Sequence, residues 1–114
     1  MDNEIAKKLK KYSSFETYDY VEKFDILLSQ ISEKKDPEDI SILLKTFDDD
    51  TDFSDVMYGI VHTLEYYPPE AYIKKLIMLS PYMLSHCPDW LLTLYYRVFN
   101  NSETLSIFQK NMHL

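Results

Sequence analysis

Apolar residues recur at intervals of three and four along most of this chain, and almost nowhere do they alternate with a period of two. Tyr20, Val21, Phe24, Leu27, Leu28 and Ile31 mark a helix from about Phe15 to Ser32, preceded by a first helix over about Asn3 to Tyr12. Asp36 stands as an N-cap before Pro37, whose missing N–H does no harm at a first helical position, and Ile40, Leu43, Leu44 and Phe47 give the third helix its apolar face. The run DDDTD ends that helix. Val56, Met57, Ile60, Val61 and Leu64 form the stripe of a fourth, from about Phe53 to Tyr66, entered through Thr51 or Ser54 as cap and closed by Pro68-Pro69.

A fifth helix is expected over Pro69 to Leu79, with Tyr72, Ile73, Leu76 and Ile77 inward, followed by a short helical turn between Pro81 and Pro88. Pro88 opens a sixth, carrying Trp90, Leu91, Leu94, Tyr95 and Val98 to Asn100-Asn101. Asn101 or Ser102 caps a last helix through Ile107, Phe108 and Met112. One glycine in 114 residues and no Asn-Gly hairpin signal leave little material for strands. The expected fold is all-α: one domain over residues 1–114, with six to eight helices stacked as antiparallel pairs in a small HEAT-like α/α array.

Charge adds something that periodicity does not. Residues 1–35 hold seven acids and seven bases, and residues 56–114 hold four of each. The window between them holds eight acids against Lys45, which accounts for the whole net charge of −7. A localised field of one sign selects partners of the other sign and speeds their arrival. It disfavours nucleic acid, which needs a basic surface. No apolar run reaches membrane-spanning length, and Cys87 alone can form no internal disulfide, so a reducing cytosol is the expected home.

Candidate chemistry is sparse. Asp48, Asp50 and Asp52 imitate the opening of a calcium loop, but Phe53 stands where the turn needs glycine and Gly59 where a bidentate glutamate belongs. His62 and Glu65 share one face of the fourth helix and could offer two zinc ligands. A third would have to come from His86, Cys87 or His113 by tertiary coincidence, so neither metal nor cofactor is expected. No nucleophile elbow, phosphate loop or Cys-x-x-Cys is present, and no catalytic residue is assigned.

What remains is a surface. Asp55, Tyr58, His62, Glu65 and Tyr66 fall across the fourth helix from its apolar stripe, and Arg97 is available to answer Glu65. Gly59 there favours close helix packing. Tyr18, Tyr20, Tyr66 and Tyr67 stand beside acids, a mixture suited to an interface, whereas Tyr72, Tyr95 and Tyr96 read as core.

The stretch LLKTFDDDTDFSDVMYGIVHTLEYYPPEAYIKKL, with PDWLLTLYYRVFNNSET after it, resembles the immunity protein 30 family of bacterial polymorphic toxin systems, which include contact-dependent growth inhibition. The resemblance spans about Ile42 to Thr104. It rests on the aspartate-rich turn, the Val56-Met57 helix with His62 and Glu65, Trp90 ahead of Arg97, and Asn100; Tyr58 and Asn101 depart from the pattern. It implies a cytosolic helical protein that binds and neutralises a cognate toxin domain, often a nuclease. The expected toxin-binding residues are Asp48, Asp49, Asp50, Asp52 and Asp55 with Tyr18, Tyr20, Tyr58 and Tyr66. His62, Glu65, Trp90, Arg97 and Asn100 are expected to be scaffold. Two rival classes stay open: a general helical adaptor for a host protein, and a metal-dependent hydrolase built on His62 and Glu65.

Overall fold

The computed structural model describes residues 3–112, which form seven helices and no strand among the described residues. They are α1 (Asn3–Tyr12), α2 (Tyr18–Lys34), α3 (Asp39–Leu44), α4 (Ser54–Glu65), α5 (Pro69–His86), α6 (Pro88–Phe99) and α7 (Ser102–Met112). Alternate helices touch: α2 packs on α4, α3 on α5 and α5 on α7, while α1 pairs with α2, α5 with α6 and α6 with α7. This is the packing of stacked α/α pairs that short loops and amphipathic helices produce. The stack measures 45 × 28 × 21 Å.

The apolar stripes bury as the periodicity requires. Phe24, Leu27, Leu28 and Ile31 of α2 meet Val56, Met57, Ile60, Val61 and Leu64 of α4, with Ile73, Leu76 and Met83 of α5 and Leu94 of α6 closing one continuous core. α7 contributes no fully buried residue and leans on the core through half-buried Ile107 and Phe108.

Several boundaries differ from the expectation. α2 begins at Tyr18, because Phe15 adopts the left-handed region (φ 50°) and turns the chain out of α1. A bulky residue there is costly. Burial of its ring against Phe24 (5.4 Å between centroids) and Phe53 (5.1 Å) offsets the cost. α3 is only six residues long, and Asp36 serves the turn before it, its carboxylate accepting the Glu38 N–H at 3.1 Å. Neither Thr51 nor Ser54 caps α4: the Thr51 hydroxyl accepts the Phe53 N–H at 3.1 Å, and Phe53 occupies the cap position without a side-chain bond.

The largest correction concerns α5. It runs unbroken to His86 with Pro81 inside it, where a separate helical turn was expected. Pro81 lies on the exposed side, so its lost hydrogen bond falls where water can replace it. The Ser80 hydroxyl donates to the Leu76 carbonyl at 2.7 Å and also meets the Tyr95 hydroxyl, pinning the segment to α6. Tyr96, expected in the core, is exposed; Tyr72 is buried and Tyr95 half-buried.

Gly59 does not sit in a gap too narrow for a side chain. A Cβ there would meet Leu28 Cδ1 at 3.5 Å, an ordinary contact. Gly59→Ala is therefore expected to raise unfolding stability by about 0.5–1 kcal/mol through helix propensity and reduced unfolded-state freedom, read from urea denaturation.

Candidate functional site

The acid-rich loop from Lys45 to Phe53 joins α3 to α4 and crosses the start of α6. The first N–H groups of any helix lack intrahelical acceptors, and here Pro88 and Cys87 supply no side-chain cap. Asp49 supplies it from a distance of forty residues. Its two carboxylate oxygens accept the N–H of Asp89 at 2.9 Å and of Trp90 at 3.1 Å, placing negative charge on the positive end of the α6 dipole. The Trp90 indole N–H returns a hydrogen bond to the Asp48 carbonyl at 3.2 Å. The indole stacks on Phe47 at 5.5 Å and takes the edge of Tyr58 at 5.0 Å.

The other aspartates of the loop and the one in the first turn of α4 face outward. Asp48 accepts the Asp50 N–H at 2.9 Å in a tight turn, and Asp48, Asp50, Asp52 and Asp55 are exposed. No ion pair among the described residues answers these four. Lys45, the one base in the window, lies instead over the ring of Tyr82 at 5.5 Å. Asp39 is buried in the first turn of α3, so the formal charge of the window overstates what it shows to solvent.

Of the tyrosines expected in an interface, two flank this loop. Tyr18 lines an open groove of about 190 Å³ with Asp52 and Asp55. Tyr58 lines another of about 380 Å³ with Asp49, Asp89 and Trp90. Tyr66 is exposed at the far end of α4, beside Asp25, Ser29 and Glu33 of α2. Tyr20 is turned away, packing edge-on against Tyr12 at 5.1 Å. Tyr67 is buried, and burial, with Asp39 and Asp36 nearby, pushes its hydroxyl up to about 12.

At that far end Arg97 grips Glu65 through two hydrogen bonds, Nε to Oε2 at 2.8 Å and Nη2 to Oε1 at 2.7 Å, tying α6 to α4. The pair is not a buried network: the Arg97 and Glu65 side chains keep 39% and 37% of their surface exposed. His62 Nδ1 stands 3.6 Å from Glu65 and is more exposed still. Asn100 closes α6 through its backbone N–H to Tyr96, while Asn101 caps α7, its side-chain oxygen accepting the N–H of Glu103 at 3.0 Å and Thr104 at 3.1 Å.

No group of three or more His, Cys, Asp or Glu side chains among the described residues is placed to hold a metal ion, and His113 lies outside the described residues. Cys87 is buried, and its thiol is pushed up to about 11 by that burial and then by Asp49 and Asp48, so it stays protonated at neutral pH. No helix of the described residues is long and apolar enough to cross a membrane. What the geometry of the described residues offers is a face of carboxylates and tyrosine rings.

The family model for Immunity protein 30 matches residues 11–108. The chain belongs to that family. The match begins at Lys11, well ahead of the Ile42–Thr104 stretch that carries the resemblance, so α2 and α3 are part of the immunity fold and not an addition to it. No curated protein and no solved structure matches the chain. Immunity proteins are generally non-enzymatic binders of toxins. Sequence reasoning missed the split role of the loop, since nothing in DDDTD distinguishes the aspartate that turns inward. Asp89 also joins the carboxylate face, and its place just after Pro88 was the available signal.

Asp49→Ala should cost about 2 kcal/mol of unfolding free energy, the loss of two charge-assisted cap bonds, with a shift in Trp90 fluorescence; Asp50→Ala should change stability by less than about 0.5 kcal/mol. Glu65 is held below its ordinary value of 4.5, chiefly by the Arg97 hydrogen bonds. A depressed carboxyl contributes stability that is present above its unfolded value and lost as pH falls through the folded one. The acid limb of the stability profile below about 4.5 should therefore flatten in Glu65→Gln, as measured by thermal unfolding across pH.

Proposed function

We propose that this Immunity protein 30 chain neutralises a cognate toxin domain with a basic, nucleic-acid-cleaving active site, and that it does so in the cytoplasm by covering that cleft with its acidic loop. The observation that carries the reading is the exposed quartet Asp48, Asp50, Asp52 and Asp55, unanswered by any base among the described residues and flanked by Tyr18 and Tyr58. Like charges held together in a fold repel one another unless a cation meets them. A nuclease must attract polyphosphate, so its cleft carries lysine and arginine, and a carboxylate surface competes for the same groups.

The residues then divide by role. Asp50, Asp52 and Asp55, with the outer oxygen of Asp48, pair with toxin cations. Tyr18 and Tyr58 supply buried area and a hydrogen-bonding tip at the rim of each groove. Asp49, Trp90, Glu65 and Arg97 hold the loop and its helices in place, and Tyr66 extends the contact along α4. Tyr20 is dropped from the set because its ring is engaged with Tyr12. Family membership favours this reading over a general adaptor, and among the described residues no third ligand stands with His62 and Glu65, which disfavours the hydrolase.

Reversing Asp50, Asp52 and Asp55 to lysine, while leaving Asp49 intact, should slow association with the cognate toxin domain by about tenfold or more at low salt and flatten its salt dependence. Stopped-flow binding and co-expression rescue of growth measure the two consequences. Unchanged kinetics at low salt would remove the loop from the interface.

A further inference from the structure

The seam between α4 and α6 is closed by two contacts, Tyr58 on Trp90 and Glu65 on Arg97, each one heptad along its helix from the other and so on the same side. One heptad of helix is roughly 10 Å long. The seam opens at both ends. The groove at Trp90 belongs to the acid-rich loop, and at the other end a cleft of about 420 Å³ lies where α4 and α6 finish and α5 and α7 begin. Glu65, Tyr72, Arg97 and Glu103 bring polar groups to it, and Pro69 and Val98 give it apolar wall.

Tyr72 is the unexplained member. It is only 4% exposed, yet its hydroxyl makes no hydrogen bond among the described residues. Burial pushes the phenol up, Glu65 adds to that and Arg97 opposes it, so the hydroxyl feels both charges of the cleft. A buried hydroxyl without a partner costs stability, a cost that a ligand with a matching group removes. The positive features here are already answered. Arg97 is held by Glu65, the first N–H groups of α7 by the Asn101 oxygen, and the start of α5 carries Glu70. The negative features are not. No base among the described residues pairs with Glu103, each Glu65 oxygen accepts a single Arg97 hydrogen bond and keeps a lone pair, and the Tyr72 oxygen accepts nothing.

We propose that this cleft is a socket for the guanidinium of a partner's arginine side chain. Its acceptors stand on three helices, Glu65 on α4, Tyr72 on α5 and Glu103 on α7. A planar fork of five N–H donors reaches several of them together, and its weak hydration suits a cleft with apolar walls better than a compact ammonium does. That the partner is the toxin rests on the reading above; the chemistry of the socket does not. In a toxin complex the loop attracts cations and the socket, at the other end of the same seam, retains one. Loop substitutions then act on association and socket substitutions on dissociation.

Titration of the isotope-labelled full chain with N-acetylarginine methylamide, N-acetyllysine methylamide and sodium acetate at constant ionic strength, followed by NMR, tests the socket. The arginine probe should shift the Arg97 Nε–H and the Glu103 and Thr104 amides along a saturating curve, with a Kd of about 1–10 mM. The lysine probe should bind about threefold or more weakly, and Tyr72→Phe and Glu103→Gln should each weaken the arginine probe by about threefold or more. Tyr72→Phe removes a hydroxyl that has no partner, so its melting temperature should stay or rise, which separates lost binding from lost folding. No saturation at these nuclei, equal binding of the lysine probe, saturation by acetate, or undiminished binding in both variants overturns the proposal. With the cognate toxin domain, the two substitutions together should speed dissociation by about fivefold or more and leave association at low salt unchanged. Unaltered dissociation overturns the toxin as occupant. A saturating probe beside unaltered association in the Asp50, Asp52 and Asp55 variant sinks the loop reading alone, and a silent probe beside slowed association sinks the socket alone.

Discussion

The arrangement of the acidic face depends on one carboxylate that does not belong to it. Asp49 folds back onto the first turn of α6 and satisfies two backbone N–H groups that neither Pro88 nor Cys87 can serve. That contact fixes where the α3–α4 loop lies, and through it the directions in which Asp48, Asp50 and Asp52 project. Trp90 secures the same junction from below, with Phe47 on one side of the indole and Tyr58 at its edge. At the opposite end of α4 and α6, Arg97 and Glu65 fasten the two helices again. The exposed strip of α4 between these clamps is held by interactions that lie at its two ends.

Helix count, helix type and the core were legible because they follow from periodicity. The stripes of α2, α4 and α6 are buried where spacing at three and four requires. Punctuation was less legible. Pro81 reads as a breaker, yet a proline on the outer side of a well-packed helix loses one solvent-replaceable hydrogen bond, and packing of Tyr72, Ile73, Leu76 and Met83 outweighs that loss. Phe15 reads as a helix start, but its backbone is left-handed because its ring has a pocket between Phe24 and Phe53 to fill. Both outcomes were decided by tertiary contacts that no local pattern contains.

The candidate site was half legible for the same reason. Five aspartates within eight residues announce a charged surface. Which of them turns inward depends on the orphan N–H groups of a helix forty residues away. Tyr58 and Tyr66 could be placed from their position on α4, whereas Tyr20 and Tyr96 could not, since the period of a helix gives a direction without saying whether another helix stands there.

Phe53 has a reach beyond its place at the entry to α4. Its ring lies against Phe15, so the last residue before α4 rests on the turn between α1 and α2. The N-terminal hairpin, balanced in charge and remote in sequence, thereby forms the floor on which the outgoing arm of the aspartate turn is seated. A loss of order in α1 would reach the carboxylates as a change of aim, with every one of them still present.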